Sequence, residues 1–186
     1  MARGRGGGAV PSVAEGSGSP TLRLTEPFEV FYEREFPSVV GLAYALSGNR
    51  SGAEDLAQEA FLAAHRDWDR VGPLDKPGAW VRRVVANMSV SLFRRTALEA
   101  RSIARLAARR QEALPELSAE DADFWAAVRS LPKRQAQAVT LYYLEDLPVT
   151  DIAEILDCAE GTVKAHLHAG RRSLAKRLGL EGEERG

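Results

Sequence analysis

A single cysteine, Cys158, stands in the 186 residues, so no internal disulfide is available to staple the fold. No apolar run approaches the ~18 residues that would mark a membrane-spanning helix, and Arg3 and Arg5 lead into glycines and prolines rather than an apolar segment, which excludes a secretory signal. A cytoplasmic location is the expectation. Neither sign of charge is in excess: 25 Lys and Arg face 26 Asp and Glu, a net of −1. Total charge therefore says nothing about nucleic acid, and its distribution along the chain has to decide. Histidines number only 3. Cys158, His166 and His168 do not share a face suited to tetrahedral zinc, and His65 lies in the other half of the chain. No nucleophile-base or carboxylate pair is evident, so neither a metal, a cofactor nor catalysis is expected.

What is present is helical patterning. Hydrophobic residues make up 45% of the chain, enough for real cores. Residues 1–25 are rich in Gly, Ser and Pro and poor in large apolar groups, which predicts a disordered tail. From Phe28 onward, Phe28, Phe31, Tyr32, Val39, Leu42, Ala43 and Leu46 recur near a 3.6-residue period, until Gly48 and Asn49 break it. Ser51 and Glu54 have capping-box spacing, predicting a second helix lined by Ala53, Leu56, Ala57, Ala60, Phe61, Ala64 and Trp68. After Gly72, Pro73 and Pro77, a third helix is predicted from Gly78 to Arg95, burying Trp80, Val81, Val84, Val85, Met88 and Leu92. No segment alternates with period two. The expected architecture is all-α: one small helical domain over 26–96, a flexible linker over 97–120, a second helical domain over 121–179 and a short tail over 180–186.

Four helices are expected in the second domain, around Phe124-Trp125-Val128, Ala136-Val139-Leu141-Tyr142-Leu144, Ile152-Ala153-Ile155-Leu156 and Val163-Leu167-Leu174-Leu178. The last two, joined through Asp157 to Gly161, have the make-up of a helix-turn-helix, which sets its second helix in the major groove. Thr162, Lys164, Ala165, His166, His168 and Arg171 then project toward bases or phosphates, and Arg172, Lys176 and Arg177 extend the positive charge.

In the first domain, Leu56, Ala60 and Phe61 point inward and leave Asp55, Gln58 and Glu59 as an acidic outer face suited to a basic protein partner. Arg82, Arg83, Arg94, Arg95, Arg101, Arg105, Arg109 and Arg110 concentrate positive charge despite the neutral total. Arg83, Asn87, Ser91 and Arg94 are read as one polar stripe opposite Trp80, Val84 and Met88, with Trp80 either stacked on a base or in the core.

In that order these segments resemble the extracytoplasmic-function sigma factors. Phe31-Tyr32 through Tyr44 is similar to the start of region 2, and Asp55 through Phe61 to its polymerase-binding helix. Pro77 through Asn87 resembles the promoter-melting, minus-ten-reading part, and Leu131-Pro132 through Leu178 resembles region 4, which reads the minus-thirty-five element. The resemblance implies a DNA-binding, non-catalytic subunit whose partners are core RNA polymerase and promoter DNA. It implies that Asp55, Gln58 and Glu59 meet the clamp helices of polymerase, and that Val71 to Lys76 help hold a flipped base while Trp80, Arg83, Asn87 and Arg94 face minus-ten DNA. An anti-sigma partner is compatible with it, though no residue requires one. Ser91 departs from the usual Asp, Ala159 from the Ser that commonly caps the recognition helix, and Ala169 from a common Arg. A helix-turn-helix regulator that never engages polymerase is the competing reading; it leaves the Asp55 to Asn87 constellation without a job.

Overall fold

A computed structural model of the chain describes residues 25–89 and 119–180. Its first helix, α1 (Phe28–Ser47), stops at Gly48, whose φ of 70° is the left-handed turn that glycine adopts without penalty and whose N–H bonds the Tyr44 carbonyl at 2.7 Å. Asn49 then returns to extended backbone and caps α2 (Arg50–Arg66), its side chain accepting from the Gly52 N–H at 3.3 Å. The capping box at Ser51 and Glu54 is thus corrected: the helix starts earlier, and Ser51 lies exposed inside its first turn.

Ala53, Leu56, Ala57, Ala60, Phe61 and Ala64 are buried as their spacing predicts. Trp68 is not on that helix. Asp67 leaves helical geometry, and Trp68 opens a separate short turn, α3 (Trp68–Val71). The turn swings the indole onto Phe28 and Phe31, with ring centroids 5.2 and 4.9 Å away, and lets Nε1 donate to the Glu26 carbonyl at 3.3 Å. Tyr32 and Phe36 complete an aromatic cluster over Phe61. Next comes α4, helical over residues 77–89, which buries Val81, Val85, Ala86 and Ser89.

The second half consists of α5 (Ala119–Arg129), α6 (Lys133–Tyr143), α7 (Val149–Leu156) and α8 (Glu160–Arg177). Ala119 and Glu120, expected at the end of the linker, already belong to α5. Val128, Ala136, Val139, Leu141, Ile152, Ile155, Leu156, Val163, Leu167 and Leu174 form its core. Leu144, expected inside, is 41% exposed because it follows the last turn of α6. Packing of α8 on α6 is close at Gly170, where a Cβ would sit 2.8 Å from Val139 Cγ2. Among the described residues there is no strand, and no helix is long and apolar enough to cross a membrane. The expected tails over 1–24 and 181–186, the linker up to residue 118, and the end of the third helix with Ser91, Leu92 and Arg94 lie outside the described residues.

The two halves pack on one another, which periodicity did not foretell. From α5, Arg129 lies over Gly48 and its Nη1 donates to the Ala45 carbonyl at 3.5 Å; burial pulls its pKa below the usual guanidinium value, only partly opposed by Tyr44. From α6, Gln137 is wholly buried, and its Nε2 donates to the Ala86 carbonyl of α4 at 2.5 Å. A buried amide survives there because both ends are bonded: Arg134 donates to its Oε1 at 3.4 Å.

Candidate nucleic-acid and protein interfaces

On α2 the anticipated face is formed. Asp55, Gln58 and Glu59 are exposed, while Leu56, Ala60 and Phe61 beneath them are buried. Beside Gln58 runs an open groove of about 540 Å³ between α1 and α2, lined by Phe28, Tyr32, Phe61, Leu62 and His65 and bordered by Glu29 and Glu33. Leu62 is 55% exposed in it. This apolar strip with acidic edges was missed in the sequence; its signal was Leu62, an apolar residue four positions after Gln58 and so on the same exposed side of α2.

On α4 one expectation needs correcting. Trp80, Val84 and Met88 do not oppose the polar stripe as a buried row; all three are half-buried, and the inward residues are Val81, Val85 and Ser89. At about 100° per residue Asn87 returns to within some 20° of Trp80, so Trp80, Arg83 and Asn87 share a side. Asn87 is exposed there, Arg83 is half-exposed, and Trp80 and Arg83 line a groove with Leu74, Lys76 and Glu154.

Arg82 also leaves the cationic surface to which its sequence neighbours assigned it. Its side chain is 13% exposed and bridges two carboxylates, Glu35 Oε2 at 2.7 Å and Glu145 Oε2 at 2.8 Å, while also donating to Ser38 Oγ at 2.9 Å. Burial works against the charge, yet Glu145 and Glu35 outweigh it and hold the guanidinium pKa above its usual value. For Glu35, burial raises and the bonds from Arg82 and Arg34 lower; the bonds prevail and its pKa falls below the usual carboxylate value.

The helix-turn-helix is formed by α7 and α8. Asp157, with φ 54°, makes the left-handed cap that ends α7, and Ala159 stands at the N-cap of α8 without a side-chain bond, as the missing Ser implies. Val163, Leu167, Gly170 and Leu174 seat α8, leaving Thr162, Lys164, Ala165, His168, Arg171 and Arg172 exposed. His166 is only half-exposed, since it sits beside the buried stripe. Arg171 is drawn against α6: its Nε donates to the Tyr143 hydroxyl at 2.8 Å, and the guanidinium lies over the Tyr142 and Tyr143 rings at 5.2 and 5.7 Å. Lys164 pairs loosely with Glu160 at 3.8 Å across open solvent. Cys158 is half-buried in the turn. Among the described residues no cluster of His, Cys, Asp and Glu is placed to hold a metal.

Among the described residues every regular element is helical, and α7 and α8 form the helix-turn-helix of a DNA-binding protein. The sigma-70 region 2 family matches residues 31–99 and the sigma-70 region 4 family matches residues 121–174. Relatives include the ECF RNA polymerase sigma factor EcfG of Rhodopseudomonas palustris, 31% identical over 80% of this chain and 83% of that one. SigE of Mycolicibacterium smegmatis is 34% identical over 78% of this chain, which spans only 59% of SigE. In fold, the sigma factor RpoE of Bartonella quintana, solved with the anti-sigma factor NepR, superposes with a TM-score of 0.65 at 24% identity, over 83% of this chain and 98% of that one. The chain belongs to the extracytoplasmic-function group of the sigma-70 family, the sigma factors that direct RNA polymerase to promoters.

Proposed function

We propose that this chain binds core RNA polymerase through Asp55, Gln58 and Glu59, meets the minus-ten strand with Trp80, Arg83, Asn87 and Arg94, and sets α8 in the major groove of the minus-thirty-five element. The observation that carries the reading is the α2 face, three exposed polar residues over a buried Leu56 and Phe61. Thr162, Lys164, Ala165, His166 and His168 serve the groove, while Arg171 and Arg172 meet phosphates, the former steadied by its tyrosines. The protein acts in the cytoplasm by binding rather than catalysis: capturing an unstacked base at the loop over residues 71–76 offsets the few kcal/mol that flipping costs. That a similarly folded sigma factor was solved with an anti-sigma factor supports a partner of the same kind here.

Run-off transcription with core polymerase and a library of upstream fragments tests the whole reading. Reversing Asp55 and Glu59 to Lys is expected to abolish the transcript by weakening core binding by roughly 2–5 kcal/mol, with circular dichroism unchanged. Undiminished affinity for core polymerase in that folded variant refutes the assignment of the face.

A further inference from the structure

Arg171 differs from Arg34, Arg82, Lys76 and Arg83 in what holds it. Arg34 is paired with Glu26 and Glu35, and Arg82 with Glu35 and Glu145. Lys76 Nζ lies 2.6 Å from Asp151 Oδ1, and Arg83 Nη2 donates to the Glu154 carbonyl of α7. Among the described residues no carboxylate pairs with Arg171; its partners are the Tyr143 hydroxyl and the Tyr142 and Tyr143 rings, all of them neutral. Its charge is therefore fixed in place without being cancelled.

Packing between α6 and α8 sets this up. Gly170, the residue before Arg171, has no side chain to hold α6 away, and Val139 of α6 takes the space a Cβ would need. Tyr143 follows Val139 by four residues on the same side of α6, which brings its hydroxyl to 2.8 Å from Arg171 Nε. In that bond the phenol oxygen accepts, so its own O–H still has a proton to donate, and the guanidinium keeps its Nη groups. Tyr143 is 50% exposed. A phenol O–H and a guanidinium edge, fixed side by side and open to solvent, form a donor cluster suited to one anionic oxygen pair.

Arg171 also stands where such oxygens are expected. At about 100° and ~1.5 Å per residue, Lys164, His168 and Arg171 fall within about 60° of one another, with Arg171 roughly 10 Å beyond Lys164 along α8. The major groove is about 12 Å wide and is walled by phosphates. A row that faces base edges at Lys164 therefore meets the strand at Arg171. We propose that Tyr143 of α6 is itself a DNA-contacting residue: its hydroxyl and the Arg171 Nη groups clamp a single backbone phosphate beside the minus-thirty-five element. The proposal rests on the assignment of α8 to the major groove.

The test uses holoenzyme formed from the full chain and core polymerase, on a promoter fragment recovered from the run-off library. Each phosphate of the upstream element is replaced in turn by a neutral methylphosphonate. Tyr143→Phe keeps the ring, and because the hydroxyl is in solvent the variant is expected to unfold at the wild-type temperature. It is expected to bind unmodified promoter about three- to fivefold more weakly, with unchanged salt dependence, since no charge is lost. Arg171→Ala is expected to lose about tenfold and to lower the slope of log affinity against log salt by about 0.9. At one methylphosphonate position the wild-type loss is expected to shrink in Tyr143→Phe and to vanish in Arg171→Ala, with every other position unaltered. Wild-type affinity in Tyr143→Phe overturns the clamp. So does a weaker variant whose methylphosphonate profile matches that of the wild type, which makes Tyr143 a support for α8 and nothing more. If no upstream methylphosphonate weakens the wild type, the assignment of α8 to the groove falls and takes the clamp with it.

Discussion

The two halves solve the problem of a small core differently. In α1–α4 large rings fill it: Phe31 and Phe61 are almost wholly buried, with Tyr32, Phe36 and Trp68 closed around them. In α5–α8 the fully buried apolar residues are aliphatic, with Phe124, Trp125 and Tyr142 only packed against them, and α8 comes close to α6 at Gly170, while Tyr143 lies exposed under Arg171. The first half is thus held by area per side chain, the second by fit between backbones. The first turns acids outward and withdraws the cation Arg82, whereas the second turns its cations outward along α8.

Phe61→Ala should break this comparison most severely. Removing a buried ring costs about 3–5 kcal/mol, and the loss is expected to unfold α1–α4 while α5–α8 persists on its own core. Methyl resonances of Val163 and Leu167 that keep their native positions when those of Val85 collapse will show it. Simultaneous loss of both sets means the shared contacts at Gln137 and Arg129 fuse the halves into one cooperative unit.

Gly170→Ala probes the other half by overfilling. The new methyl meets Val139, a side chain stiff at χ1, at 2.8 Å. A cost of roughly 1–3 kcal/mol is expected, visible as a lower midpoint in thermal unfolding of α5–α8 with little change at α1–α4.

The ion pairs around Arg34 and Arg82 should respond to acid. Glu35 faces Arg34 and Arg82, with Glu26 on Arg34 and Glu145 on Arg82 as the neighbouring acids. Its folded pKa lies below the usual carboxylate value because the guanidinium bonds outweigh burial. A depressed carboxylate stabilises the fold above its unfolded pKa, and that contribution disappears as pH falls through the folded value. Unfolding at neutral pH and at about pH 3, compared between wild type and Glu35→Gln, should show a smaller acid loss in the variant.

The smallest expected effect is a gain. Ala159 caps α8 with extended backbone and no side-chain bond, so Ala159→Ser should stabilise the recognition helix by about 1 kcal/mol. A higher thermal midpoint confined to α5–α8 is the sign to look for.

Most of the helical pattern was legible in the chain, because a 3.6-residue period is a local property: Leu56, Ala60 and Phe61, or Val163 and Leu167, announce their burial by spacing alone. So did the exposed trio on α2 and the outward residues of α8. Trp68 escaped the reading because a single residue, Asp67, redirected the chain, and Trp80 because its helical angle was taken with Val84 rather than with Asn87. Arg82 escaped for a deeper reason. Its partner Glu145 lies 63 residues away, and the partner of Lys76 lies 75 away. Local spacing specifies which face of a helix turns inward, but an ion pair across such a distance depends on how two finished units dock. The amino-acid sequence therefore determined the helices, their faces and the helix-turn-helix. Only the tertiary structure decided that Arg82 would be spent on carboxylates and that α7 would lie across Lys76 and Arg83, since desolvation and charge pairing are settled where the surfaces meet.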